Sequence, residues 1–284
     1  MSARMAVRIA SLGSGSSGNS TVVEVHGQTF LVDVGFSYRQ LKQRLDRVCV
    51  IPTDIDAVFI THEHSDHIKG LKTFSKQHPD TPIYTTAMNR EVLAAKWDHQ
   101  GNWKVFESGN SFKIADTSVT GIAIPHDAVE PVAYIFEHSD CKISIITDLG
   151  YVPQRVGKAV LGSEFVLLEA NYDEQLLEQD EKRPWSIKQR IASRHGHLSN
   201  VQALDFIQKL QPHGLKHLAL GHLSSDCNSP EVVVQAMEPI QDQIPYHILS
   251  QENGCGWIEL RSSEPAKPNF RCWEEHSESQ GALF

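Results

Sequence analysis

No stretch of the 284-residue chain approaches the ~18 consecutive apolar residues that a membrane-crossing helix requires. The opening Met1-Ser2-Ala3-Arg4-Met5 runs straight into a strand-like segment without the apolar core of a secretory leader. A cytoplasmic chain with no membrane partner is therefore expected. Cysteine is scarce: Cys49, Cys141, Cys227, Cys255 and Cys272 form an odd set without a Cys-x-x-Cys pair. That excludes a disulfide framework and a thiolate zinc site, and all five are read as free thiols. Positive charge is also in short supply. Lys and Arg number 26 against 35 acids, a net charge of −9, which by itself speaks against a nucleic-acid partner. The shortage is not uniform, because Lys182, Arg183, Lys188, Arg190 and Arg194 crowd together beside the single acid Glu181.

What remains is an ordinary globular composition, 40% hydrophobic and 21% charged, in a length that suits one large α/β domain. Apolar runs at Val7–Leu12, Thr21–Val25 and Thr29–Val34 read as strands, with Gly13-Ser14-Gly15-Ser16-Ser17-Gly18-Asn19-Ser20 as the loop between the first two. Tyr38–Leu45 has helical spacing, and Ala57–Thr61 is a short strand. Pro82–Thr85 lies between the helical segments Leu71–Gln77 and Ala87–Trp97. From Trp103 to Thr147 the pattern is almost wholly β, with strands expected at Ser111–Ala115, Thr117–Ile124, Val132–Glu137 and Lys142–Thr147. Phe165–Glu169, Lys216–Leu220, Tyr246–Ser250 and Trp257–Leu260 complete the strands. Tyr172–Gln179, Ser186–Arg194, Ser199–Leu210 and Pro230–Met237 complete the helices. Two batches of strands, each followed by helices, predict a four-layer αββα sandwich in residues 1–262. Residues 263–284, rich in Ser, Glu and Pro, are expected to be a polar, mobile tail.

The chemistry concentrates in His62-Glu63-His64-Ser65-Asp66-His67, directly after an apolar strand. His62 and His64 are two residues apart at a strand end, so they point to one side, and Asp66 and His67 follow as the chain turns towards a helix. Imidazole nitrogen and carboxylate oxygen suit zinc, and also manganese or iron. These residues are too few for two ions. Further ligands are expected where other strands end, at His126, Asp148 and His222.

Taken in order, strand-Asp33-Val34-Gly35, the His-x-His-x-Asp-His motif, His126, Asp148 and His222 resemble the motifs of the metallo-β-lactamase superfamily. The resemblance implies His62, His64 and His126 on one divalent metal ion, zinc or manganese, and Asp66, His67 and His222 on a second. It further implies Asp148 between the two, and Asp33 as a structural residue behind the metal loop. In the tRNase Z-like branch a histidine opening a late helix contacts the scissile phosphate, and a glutamate at an earlier strand end orients it. His197 and Glu169 match those positions, so Asp66, His197 and Glu169 are the catalytic candidates. The Gly/Ser loop, Gly196-His197-Leu198-Ser199-Asn200 and His222-Leu223-Ser224 together resemble the YycJ (WalJ) family, associated with metal-dependent 5′-to-3′ exonuclease activity on DNA.

Two metals can share a hydroxide that acts as nucleophile near neutral pH, which serves phosphodiesters, lactams and thioesters alike. A carboxylate-held imidazolium favours a phosphate, which it can hydrogen-bond or whose leaving alkoxide it can protonate. The leading expectation is a phosphodiesterase with DNA as substrate. Small cyclic or nucleotide phosphodiesters, or a thioester or lactone, are the alternatives. Ser14, Ser16, Ser17 and Asn19 are expected to cradle a terminal phosphate, with Arg194 and Asn200 also binding substrate. The interval from Asp148 to His222 is too short for the inserted domain of RNase J, and no tRNA-gripping arm is evident. Oligomeric state is not legible.

Overall fold

The computed structural model describes residues 7–261 apart from Lys96, Asp98 and Asp140. The expected tail and Cys272 lie outside the described residues. Strands β1 (Val7–Gly13), β2 (Ser20–Val25) and β3 (Gln28–Val32) form an antiparallel meander. β4 (Ala57–Phe59), β5 (Ile83–Thr86) and β6 (Trp103–Phe106) then extend the sheet in parallel. The last strand, β14 (Ile258–Arg261), returns to pair with β1 and completes a seven-stranded sheet.

The second seven-stranded sheet begins with β7 (Ser111–Ile114), β8 (Thr117–Ala123) and β9 (Val132–His138), again antiparallel. It continues through β10 (Cys141–Ile146) into the parallel neighbours β11 (Phe165–Glu169), β12 (His217–Gly221) and β13 (Tyr246–Ile248). β11 is buried along its whole length, as its unbroken Phe-Val-Leu-Leu run requires of a strand covered on both faces.

Three apolar layers hold the sandwich together. Between the sheets, Phe30 and Phe59 meet Tyr134, Phe136, Ile143 and Phe165. Phe59 alone contacts four rings, with centroid separations of 5.1–5.5 Å to Tyr84, Tyr134, Phe136 and Phe30. Truncating it to alanine would cost about 3–5 kcal/mol and unseat the strand that delivers His62. Outside the first sheet, α1 (Tyr38–Arg47) and α3 (Leu71–Gln77) pack Leu41, Leu45 and Phe74 onto Leu31 and Val58. Outside the second, α5 (Gln154–Val160), α8 (Asn200–Leu210) and α9 (Pro230–Ala236) cover Ile146, Leu168 and Leu220. The αββα expectation holds. Ser37 and Ser199 start α1 and α8 with reciprocal capping boxes to Gln40 and Gln202.

Several boundaries differ from the sequence reading. The helix expected over Tyr172–Gln179 is α6, Glu174–Gln179, because the Asp173 side chain caps it by accepting from Gln175 and Leu176 N–H. α7 spans Trp185–Ile191, not Ser186–Arg194, and starts behind Pro184. α4, Ala87–Ala94, stops short of the expected Trp97. α5 was not anticipated, since Gly157 interrupts it and only Val156 and Val160 face the core. The described cysteines, Cys49, Cys141, Cys227 and Cys255, form no disulfide.

The consequence for function is directional. β3 and β4 run parallel, and β8 runs parallel to β10, β11 and β12 because β9 reverses between them. Asp33, His62, His126, Asp148, Glu169 and His222 therefore all emerge at carboxyl ends of strands, on one edge of the sandwich. That edge is where open α/β sheets place their ligands.

Candidate metal centre

The segment from Thr61 to His67 leaves β4 and enters the single-turn helix α2 (Ser65–Ile68). Its posture is set from behind by Asp33, whose carboxylate accepts from Thr61 N at 2.9 Å and from the Thr61 hydroxyl at 2.9 and 3.1 Å. Asp33 Oδ2 also lies 2.7 Å from His67 Nδ1. With Nδ1 carrying the hydrogen, Nε2 of His67 is left to face the cluster. Glu63 turns outward and accepts from Val129 N at 3.0 and 3.2 Å, tying this loop to the one that carries His126.

Donor atoms of His62, His64 and His126 lie within 4.8 Å of one another, and so do those of Asp66, His67 and His222. Asp148 sits between the two sets. Its Oδ2 is 3.2 Å from His67 Nε2, and its Oδ1 is 3.3 Å from His222 Nε2 and 3.9 Å from His126 Nε2. Asp33, Asp148 and His222 each adopt a left-handed backbone, with φ of 62°, 60° and 56°. Aspartate and histidine tolerate this better than most side chains, and at three strand ends facing one cluster it marks geometry imposed by the site.

The residues fit divalent metal ions. His62 Nε2 and His222 Nδ1 are buried without a hydrogen-bond partner, a costly state for polar atoms. Burial holds His62 well below the ordinary histidine range, helped by the neighbouring His67, and burial likewise lowers His126. Both are thus neutral, as ligands must be. Burial opposes charge on Asp148, yet His222 and His67 beside it keep its carboxyl well below the usual range. Burial also opposes charge on His67, which Asp148, Asp33 and Asp66 nevertheless raise well above the ordinary value. A cation at this place would take over that role.

Beside the cluster stands a histidine–carboxylate pair. Glu169, the last residue of β11, is fully buried; Oε1 contacts His197 Nδ1 at 2.5 Å and Oε2 accepts from Leu149 N at 2.9 Å. Burial works against the His197 charge, but Glu169, with Asp148 and Asp127 further off, carries the imidazole up to about 9. The His197 ring stacks on His222 and meets His126 edge to face, with centroids 5.3 and 5.2 Å away. His64, Asp66, His126, Asp148 and His222 of the cluster and His197 of the pair line one pocket of about 200 Å³.

The expected substrate contacts are placed less uniformly. Ser16 lines the pocket, whereas Asn19 is buried and is not part of its lining, its amide 3.2 Å from both Asp66 Oδ2 and His67 Nε2. Ser14 is buried and spends its hydroxyl on His222 N, at 2.8 Å, and Asn19 Oδ1. The N–H groups expected to cradle a phosphate are largely committed: Ser14 N to Ser250 O, Gly15 N to Asn19 Oδ1, Ser17 N to Gln251 Oε1, Gly18 N to Gly15 O. Asn200 is buried against Asn228, the two amides exchanging hydrogen bonds at 2.9 and 3.1 Å. Arg194 lies over the Tyr151 ring, 4.2 Å from its centroid, and does not line the pocket. Ser14 and Asn200 thus serve the scaffold, because partners distant in sequence claim their side-chain polar atoms first, and neither Ser17 nor Arg194 lines the pocket. Arg190, Asp127, Ile187 and Ile191 line the pocket and were not among the candidates. Two of them carried a signal in the sequence: Arg190 belongs to the basic run, and Asp127 follows His126 directly.

A family model described as "Beta-lactamase superfamily domain" matches residues 28–220. Exodeoxyribonuclease YycJ of Bacillus anthracis is 32% identical over 269 residues, covering 93% of this chain and 98% of that protein. Exodeoxyribonuclease WalJ of Streptococcus pneumoniae is 34% identical over 231 residues, 80% and 85% of the two chains. Among solved structures, the metallo-β-lactamase-fold protein YhfI from Bacillus subtilis superposes with a TM-score of 0.70 at 15% identity, covering 89% and 99%. A diphosphatase of the PhnP family gives 0.65 at 18%, covering 90% and 98%. At such identities the structural likeness speaks for the fold alone.

Proposed function

The chain belongs to the beta-lactamase superfamily, within its YycJ/WalJ group, and from that premise we propose that it is a dinuclear-metal phosphodiesterase that degrades DNA from the 5′ end. The observation that carries the phosphate reading is the Glu169–His197 pair, set against a ligand cluster divided by Asp148. His62, His64 and His126 would hold one divalent ion, Asp66, His67 and His222 the other, with Asp148 reaching both. The nitrogen and oxygen donors suit zinc and accommodate manganese. Such ions would supply a nucleophile at neutral pH and offset charge developing on phosphorus.

The chain's own residues do the rest. Asn19 holds Asp66 in place through its amide. With Nδ1–H spent on Glu169, His197 has Nε2–H left to donate to a phosphate oxygen or to protonate the departing alkoxide. Its raised pKa keeps that proton in place at neutral pH. Glu169, itself fixed by Leu149 N–H, orients the ring. A thioester or lactone has less use for this imidazolium.

The test is a substrate panel for the purified protein supplied with zinc or manganese: 5′-phosphorylated duplex and single-stranded DNA, RNA, a cyclic nucleotide and a thioester. Metal-dependent release of 5′-mononucleotides from DNA is expected. Efficient thioester turnover without nucleotide release would sink the proposal.

A further inference from the structure

The basic run between Lys182 and Arg194 does not behave as a run. Lys182 pairs with Asp226 at 2.5 Å, and Arg183 pairs with Asp180 and Asp226 at 2.7 and 2.8 Å. Lys188 donates to the Glu178 carbonyl, and Arg194 is stacked on Tyr151. Arg190 is different. It is the one lysine or arginine among the described residues that line the metal pocket, and its side chain is 60% exposed.

Arg190 is held at the pocket mouth by Asp127, which accepts from its Nε in a short charge-assisted contact. A guanidinium carries five N–H donors in a planar fork, and no other hydrogen bond of this side chain is formed among the described residues. The remaining donors are free for an anion. α7 supplies a rigid base. His197 N donates to Ile191 O at 2.9 Å, and Asp127 N to His195 O at 3.1 Å. A Cβ on Gly196 would sit 2.1 Å from Ile191 O, and one on Gly150 would sit 2.4 Å from the Arg194 carbonyl carbon. Those glycines let the end of α7 press against the loops that carry Asp148 and His197.

The rest of the pocket is rich in carboxylates, with Asp66, Asp127 and Asp148 on its walls. A polyanion entering it needs a fixed cation apart from the ions that handle the scissile group. We propose that Arg190 is that cation, a clamp that Asp127 orients onto a phosphate of the polynucleotide other than the one being cleaved. The proposal rests on the phosphodiesterase reading above and adds what selects a polynucleotide over a diester with a single phosphate. Ile187, 38% exposed one turn earlier on the same face of α7, offers apolar surface for a sugar or base. Trp185 does not share this role. It is 67% exposed but lines, with Lys188, Gln189 and Ala192, a separate hollow on the other face of the helix.

Wild type, R190A and R190K are compared on a short 5′-phosphorylated duplex and on thymidine 5′-(p-nitrophenyl) phosphate. R190A is expected to lose at least about tenfold more kcat/KM on the duplex than on the single-phosphate diester, mainly through KM, as for a lost charge-assisted hydrogen bond. R190K should recover part of it, keeping the charge without the fork. The dependence of log KM on log salt should become shallower by about one in R190A. Melting temperature and bound metal are measured on every variant, and should match wild type because Arg190 is exposed. Equal losses on both substrates, or an unchanged salt slope, would overturn the clamp while leaving the nuclease reading intact. A wild-type protein that releases no nucleotides would instead overturn the nuclease reading, and a polynucleotide clamp with it.

Discussion

Strand β11 is flanked by a buried glutamate at each end, and the two are used in opposite ways. Glu164, just before the strand, receives both arms of the Arg261 guanidinium at 2.7 Å and the Lys216 ammonium at 3.0 Å. These bonds join β14 of one sheet to the start of β11 and β12 in the other. The bond from Arg261 holds its carboxyl below the ordinary range. Glu169, at the far end, is buried more completely, but its partner is a titratable imidazole. Around it lie unpaired polar atoms and three residues with left-handed backbone. One residue type in one strand thus closes a structure at one end and keeps a site poised at the other. A protein violates the rules of polar satisfaction where function requires it.

Substitutions at the two ends should separate activity from stability. The largest effect is expected from Asp148→Ala at the open end, a loss on the order of 10³-fold or more in kcat/KM together with bound metal, read by nucleotide release and metal analysis. His197→Ala should lower kcat by roughly 10²–10⁴-fold while metal content stays near wild type. Loss of metal in that variant would show that His197 is a ligand and not a proton donor. Glu169→Gln should be milder, about 10–100-fold, as expected when a group that orients another is removed. Glu164→Gln, at the closed end, should cost about 1–2 kcal/mol and leave activity within about twofold of wild type. For a chain of this size that is a fall of a few degrees in melting temperature, about 2–4 °C per kcal/mol.

The Glu164 contribution also has a predictable pH dependence. Its folded-state pKa is depressed, so its stabilisation is complete above the unfolded-state value of 4.5 and disappears as pH falls through the lower folded value. The difference in melting temperature between wild type and Glu164→Gln should therefore shrink on acidification below that range. A constant difference would mean that packing, not charge, accounts for the effect.

The open end was the more legible in sequence. Each ligand candidate follows an apolar strand, and strands that run parallel bring their carboxyl ends to one edge, so His126, Asp148 and His222 could be read as a set. Glu169 and His197 came from family resemblance and do meet in space. The closed end was not legible, because nothing local links Glu164 to Arg261 across 97 residues. The same blindness explains the basic run: Asp226 takes up Lys182 and Arg183, and Asp127 fixes the posture of Arg190, from loops far along the chain. Asn200 looked available until folding brought Asn228 against it. Local pattern reports which side chains leave a strand end, whereas long-range partners decide which of them remain free.

The central claim, that this edge of the sandwich holds two ions either side of Asp148 and acts on phosphodiesters, is tested most directly by one titration. Metal-stripped protein is titrated with zinc or manganese, with bound metal per chain and release of 5′-mononucleotides from 5′-phosphorylated DNA followed together. Activity should rise with occupancy and reach its plateau at two ions per chain. Full activity in metal-free protein, or a plateau at two ions with no phosphodiester cleavage, would contradict the claim.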